Sequence, residues 1–421
     1  PPRTIADITA ILDQQKPDPA KAAALRAASD AQPAPGLAGR ALADFLVKRA
    51  EAAELLGRTR QRLEDLRAAL KLARAGQGDL SRALQYLAVA ESNAGNLKTA
   101  AEMRAESARS SPSNLQGRTI GNASGTAVYY SRMGDLETAR MWLNDAERAF
   151  LSRPMGTTFN AYREGWQSSI ANAKATVANA AGHLLEAEAG WREAIRLNRI
   201  ALTKIDQMPD SPGEASYESV VESLQYVLAK NLARQGRLAE AEVEARRALL
   251  GQLKRLGRDA PETGNGVASL AVILTEKGRH QEAERLARAS VAIYRDTGSL
   301  PGSWFLTSSQ HLIGRTLVLQ HKWPEAMAAF DEMRRDAGGD AEVVRSFYDE
   351  NVPVAMARIM TGRARETLPG LEKVVQRSQR ALGERNYDTA EARGFLALAL
   401  AAAGEQDRAL REFREIGRAH V

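Results

Sequence analysis

The sequence contains no cysteine, which removes disulfide frameworks, thiolate metal sites and cysteine nucleophiles from this stretch of chain. Aromatics are scarce: eight Phe, nine Tyr and five Trp in 421 residues leave little of the material that half-buried strands favour. The longest apolar run, Phe395 to Ala403, falls far short of the ~18 residues that suggest a membrane span. No Gly-Lys dipeptide occurs, so a Walker-type phosphate loop is excluded. His183, His280, His311, His321 and His420 form no pair at metal-ligand spacing with a carboxylate between them. No serine sits in a Gly-x-Ser-x-Gly elbow, and Gly264 with Gly266 forms a Gly-x-Gly that reads as a turn or helix entry rather than a dinucleotide fingerprint. Asn122 to Ser124 forms a glycosylation triplet that its helical setting makes fortuitous. These absences predict a chain with no catalytic residue, no metal and no cofactor. Charge of one sign is not concentrated either. The 58 basic residues exceed the 52 acidic ones by a net +6, spread along the whole length, whereas a nucleic-acid binder gathers such a surplus into a patch.

Alanine is abundant, at 76 residues, and favours close-packed helices. Arginine supplies 46 of the basic residues against 12 lysines, a bias expected of a GC-rich bacterial genome. Residues 1–36 hold six prolines around one amphipathic stretch from Thr4 to Leu12 and read as a lead-in segment. The chain starts on Pro rather than Met, so an export signal would lie upstream; both an exported and a cytoplasmic protein remain consistent. The last six residues, 416–421, read as a non-native tail resembling translated sequencing adapter.

Between residues 37 and 415 one pattern recurs, and repeats dominate the reading. A helical stretch ends on a turn residue at Gly57, Gly95, Gly134, Gly182, Gly236, Gly278, His321, Gly362 and Gly404, at spacings of 38 to 54 residues. Ala follows five places later in seven of the nine units, with Arg62 and Thr367 as exceptions. Seven places before each turn stand Ala50, Ala88, Ala127, Ala175, Ala229, Ala271, Gly314, Ala355 and Ala397. Ala and Gly together make up about 26% of the chain, so roughly two of nine would be small by chance. Nine of nine implies antiparallel helices that touch closely where both carry small side chains. The turn Gly supplies a left-handed conformation that a Cβ makes costly.

The segments "LAKNLARQGRLAEAEVEARRAL" from Leu228 and "FLALALAAAGEQDRALREF" from Phe395 resemble tetratricopeptide repeats. The resemblance covers about nine-tenths of the chain and implies an all-α right-handed superhelix, an α-solenoid, of about nine helix pairs. The usual period is ~34 residues; the last four spacings here, 41 to 43, are longer, which resembles the kinesin-light-chain type. Two intervals are longer still through insertions at Ser152–Gln167 and Thr203–Ser219. The lead-in segment "PRTIADITAILDQQKPDP" followed by the array is similar to bacterial proteins in which such repeats precede a caspase-like CHAT domain, which would then follow residue 415.

Stacked helix pairs create a groove whose inner wall is built from first helices. Counting back from each turn places Gln85, Ser124, Ser131, Asn172, Asn179, Tyr226, Lys230, His311 and Arg315 on that wall. Such a lining suits a protein or extended peptide whose backbone and one or two carboxylates are met by amide, hydroxyl and cationic donors. The Lys and Asn clamp of chaperone-binding relatives is not recognisable. Trp142 and Trp191 are expected to fill gaps between repeats, whereas Trp166, inside an insertion, is the best candidate for an exposed anchor. The expected function is a protein-interaction scaffold, the partner-sensing arm of a larger bacterial protein with a CHAT effector; the alternative is a stand-alone assembly scaffold.

Overall fold

A computed structural model describes residues 8, 10, 12 and 19–420, apart from 95, 111–115, 153–156, 209–212 and 339–340. Most of the lead-in stretch, the turn at Gly95, Pro209 to Pro212 and Val421 therefore lie outside the described residues. No strand occurs among the described residues. The chain divides into two compact units, the first holding residues 1–276 with 296–299, the second 277–295 with 300–421.

In the first unit the helices are α1 (Pro19–Asp30), α2 (Gly39–Leu55), α3 (Thr59–Arg74), α4 (Leu80–Asn93), α5 (Leu97–Ser110), α6 (Gln116–Arg132), α7 (Leu136–Leu151), α8 (Thr157–Ala180), α9 (Leu184–Leu202), α10 (Glu214–Arg234), α11 (Leu238–Leu256) and α12 (Pro261–Glu276). Within this unit α2 and α3, α6 and α7, α8 and α9, and α10 and α11 form antiparallel pairs joined by tight turns. Gly57, Gly134, Gly182 and Gly236 all carry positive φ, from 66° to 84°. At Gly134 the amide of Asp135 donates to Tyr130 O at 3.0 Å and that of Gly134 to Ser131 O at 3.1 Å, a pattern that satisfies the last carbonyls of α6 and stops it. Asp135 then caps α7, its Oδ1 accepting from Thr138 N at 3.1 Å.

The small residues stand where the pairs touch. Ala50, Ala88, Ala127, Ala175 and Ala229 are all buried, and a Cβ on Gly190 of α9 would fall 2.8 Å from the Ala175 Cβ of α8. A larger side chain at either position would wedge the pair apart. Arg62, the exception to the Ala pattern, is buried and reaches Glu54 at 2.8 Å. Trp142 and Trp191 are buried as expected. The insertions turn out differently. Much of the first is helix, lengthening α8 to 24 residues; the second contains a 3-10 turn at Ile205–Gln207 and the start of α10. At the end of the unit, a Cβ on Gly298 would lie 3.4 Å from both Arg26 and Leu56, so residues 296–299 return to α1 and α2.

The second unit contains α13 (His280–Asp296, whose last residue falls in the first unit), α14 (Trp304–Leu319), α15 (Trp323–Asp336), the short α16 (Ala341–Val344), α17 (Val352–Met360), α18 (Leu368–Leu382), α19 (Tyr387–Ala402) and α20 (Gln406–His420). His321 adopts φ 59°, the left-handed conformation that Gly holds elsewhere, and Lys322 N donates to Leu317 O at 3.0 Å across it. Gly314, the non-alanine member of the small series, lets α14 meet the ring of Phe330 on α15. Regularity fails between residues 341 and 367, where a π segment at Arg345–Asp349 and a 3-10 turn at Ala364–Thr367 interrupt the expected pair. Pro353 and Pro369 occupy the first turns of α17 and α18, positions a proline tolerates, while each excludes a helix continuing from the N-terminal side.

Candidate binding site

The first helices α4, α8 and α10 of the first unit carry five of the seven principal residues expected on the inner wall. Gln85 on α4 is exposed, and Asn172 and Asn179 on α8 are half-buried. Asn179 Oδ1 accepts from Asn231 Nδ2 at 3.3 Å and from Arg234 Nη1 at 2.9 Å, which ties α8 to α10. Tyr226 instead turns inward: it is 8% exposed, and its hydroxyl donates to Gln252 Oε1 on α11 at 2.9 Å. Gly266, one turn into α12, makes the room for that bond, because any Cβ there would overlap both partners. His311 and Arg315 stand on α14 in the second unit. His311 Nε2 lies 2.9 Å from Asn351 Oδ1, and its ring packs against Phe330 and Phe347. Burial lowers its pKa, the Asn351 bond opposes that shift, and Arg315 adds to it.

Lys230 of α10 feels the charge of Arg132 on α6, and Arg234 follows one helical turn later on α10; neither arginine stands among the residues that the sequence pattern singles out. All three are exposed. Arg132 donates to Ser92 Oγ at 3.2 Å and Arg234 to Asn179; none of the three has an ion-paired carboxylate among the described residues. Lys230 keeps solvent contact yet stands deep among protein atoms. That loss of hydration lowers its pKa, and the Arg132 guanidinium lowers it further.

A cavity of about 380 Å³ opens between α6, α8 and α10, with Arg104 of α5 at its back. Its construction begins with three glycines one helical turn apart on α6. An interior helical Gly costs about 1 kcal/mol against Ala, and only Gly117, in the first turn, and Gly125 have a steric counterpart. A Cβ on Gly117 would fall 2.6 Å from Trp166 Nε1, and one on Gly125 3.2 Å from Arg104 Cζ; one on Gly121 would meet nothing within 4 Å. Trp166 is thus no free anchor. It is half-buried against α6, flanked by Phe159 and Tyr162 with ring centroids 5.9 Å away, and forms one wall of the cavity.

Behind the cavity runs a polar chain. Ser81 and Ser107 hydroxyls lie 2.9 Å apart, Asn122 Nδ2 donates to Ser107 Oγ at 2.8 Å, and Asn122 Oδ1 accepts from Arg104 Nη1 at 2.8 Å. Desolvation lowers the Arg104 pKa against the opposing pull of the Tyr129 hydroxyl. Arg104 Nε and Ser124 Oγ are buried and have no hydrogen-bond partner. No carboxylate lines the cavity. No group of three metal-ligating side chains occurs among the described residues, and no described helix is long and apolar enough to cross a membrane.

Residues 220–296 match the tetratricopeptide repeat family. No curated protein matches the sequence significantly. Among solved structures, the chain is similar to aspartyl phosphate phosphatase F from Bacillus subtilis (10% identity, 92% of this chain and 96% of that one, TM-score 0.52) and to a Rap protein complexed with competence and sporulation factor (10% identity, 90% and 97%, TM-score 0.51). A kinesin light chain of Podosopora anserina with nearly identical TPR-like repeats is 21% identical over 48% of this chain and 95% of its own, with a TM-score of 0.38. The repeat match and the first two of these structures establish the fold, all-α and built of tetratricopeptide-type helix pairs.

Proposed function

We propose that the chain is a protein-interaction scaffold whose first unit holds an extended, acidic segment of a partner along α4, α6, α8 and α10. The observation that carries this reading is the trio Arg132, Lys230 and Arg234, exposed on first helices and lacking carboxylate partners among the described residues. A partner's carboxylate would supply the missing charge and raise the depressed Lys230 pKa. Gln85, Asn172 and Asn179 would meet the partner's backbone with amide groups, and His311 with Arg315 would line the corresponding helix of the second unit. The Rap protein of like fold was solved with competence and sporulation factor, in line with a binding role for this architecture.

The test is selection of a random peptide library against the chain, repeated with Arg132→Glu/Lys230→Glu. Enrichment of acidic peptides that the charge-reversed protein loses, and that rising salt weakens, is expected. Peptides without acidic bias, or binding indifferent to charge reversal, would refute the reading. The finer assignment is to a sensing arm that relays occupancy to a caspase-like CHAT domain. It is tested by reading the intact gene past residue 415: a stop codon or unrelated domain there removes the relay and leaves a stand-alone scaffold.

A further inference from the structure

The cavity between α6, α8 and α10 presents a combination that packing alone does not explain. A largely buried guanidinium has no acid beside it, although stripping a charge of water costs several kcal/mol unless a partner compensates. Ser124, only 3% exposed, has a hydroxyl with no hydrogen-bond partner, a desolvation loss of about 1–3 kcal/mol. Both line the same space. Asn172 lines it too, and its Oδ1 is occupied by Trp191 Nε1 at 3.0 Å; since indole N–H only donates, the group Asn172 has left is its Nδ2 donor. The cavity thus offers several donors and one positive charge. Val128, Val220, Leu224 and Trp166 supply apolar surface to the same lining.

We propose that this cavity binds a carboxylate carried on an apolar body, with Arg104, Ser124 and Asn172 around the carboxylate and the aliphatic and indole walls around the body. One guanidinium matches one negative charge, and the volume falls in the range of small-molecule sites. Gly121 is what keeps the space open, since its missing Cβ faces no atom within 4 Å. The carboxylate could belong to a free organic acid or to the last residue of a peptide. The inference stands apart from the acidic-segment reading, which rests on different cations.

Calorimetric titration of the intact chain decides it, with 3-phenylpropionate, its neutral analogue 3-phenylpropanamide, inorganic phosphate, and a tripeptide ending in Phe in free-acid and amidated forms. We expect an acid to bind at least about tenfold more tightly than its amide. Whether phenylpropionate or the free-acid tripeptide binds better identifies the source. Arg104→Met should lose at least about tenfold in affinity. Gly121→Leu keeps Arg104 but fills the cavity and should abolish binding, which covers the case in which Arg104→Met fails to fold. Equal affinity for acid and amide, tighter binding of phosphate, unchanged binding in Gly121→Leu, or no heat from any probe up to roughly 10 mM would overturn the proposal.

Discussion

The three glycines of α6 provide a controlled experiment, because the same methyl group added at three successive turns of one helix meets three different environments. Replacing Gly by Ala in a helix interior gains about 1 kcal/mol of propensity wherever the Cβ fits. At Gly121 nothing lies within 4 Å of that Cβ, so Gly121→Ala should stabilise the first unit by about 0.5–1 kcal/mol. At Gly125 the Cβ meets Arg104 Cζ at 3.2 Å and Nε at 3.3 Å. The guanidinium must yield a few tenths of an ångström against its bond to Asn122, and the net change should be near zero. At Gly117 three indole atoms of Trp166 lie 2.6 to 2.9 Å away, and the ring is held between Phe159 and Tyr162. Overpacking of that kind costs about 1–3 kcal/mol, so Gly117→Ala should be destabilising by up to about 2 kcal/mol. The spread between the outer variants corresponds to several degrees of melting temperature at about 2–4 °C per kcal/mol. Stacked repeats can unfold in steps, so amide hydrogen exchange within α6 should accompany the melts. A destabilising Gly121→Ala, or a Gly117→Ala as stabilising as Gly121→Ala, would show that the contacts assigned to this helix are wrong. Trp166→Leu should relieve the cost of Gly117→Ala without helping Gly121→Ala.

In the second unit, Gly314→Ala places a Cβ 2.6 Å from Phe330 Cδ1 and should cost about 1–3 kcal/mol; Phe330→Leu in the same chain should recover part of it in denaturant melts. His311 has its pKa lowered from 6.5 by burial, so below about pH 6.5 the unfolded chain takes up a proton that the folded one refuses. Stability should fall as pH drops through that value, and His311→Gln should flatten the dependence; an unchanged slope would contradict the buried, neutral imidazole. Arg62→Met removes the partner of Glu54, whose pKa is raised by burial and by Glu262 and Glu51 although Arg62 opposes them. The loss at neutral pH should be about 1 kcal/mol after solvent screening, shrinking toward acid pH as Glu54 protonates.

The repeating elements were readable because each is fixed by a local rule. A left-handed residue ends the first helix of a pair, and a small residue seven places earlier touches the second; the positive φ at His321 shows that the position matters more than the glycine. The prolines at 353 and 369 are equally visible, and each starts a helix that breaks the regular pairing of the eighth repeat. Tyr226 is buried for a physical reason that its own helix does not display: a 3.6-residue period fixes the face of a helix only to within a turn, and Gly266 forty residues away gives the ring a buried alternative. Arg104 was beyond reach. Its surroundings come from four helices between residues 104 and 224, and no single-helix pattern marks their meeting point.

One local sign did exist, and it explains why α6 differs from the other first helices. A chain in which local preferences and packing agree folds without conflict. On α6 three glycines weaken the helix and a buried hydroxyl lacks a partner, and beside it Arg104 of α5 is a buried cation without an anion. Packing alone would be served better by Ala at Gly121 and by an uncharged side chain at Arg104, because well-packed apolar residues commonly equal or exceed a buried charge in stability. Conflicts of this sort collect at functional sites. Here they converge on one 380 Å³ cavity, and a ligand carboxylate would resolve the two polar ones together. It follows that the cost of Arg104 should be visible without ligand. If Arg104→Met is strongly destabilising in the empty protein while Asn122→Ala in the same background adds nothing, the guanidinium is holding α5 to α6 and the conflict read from this helix is only apparent.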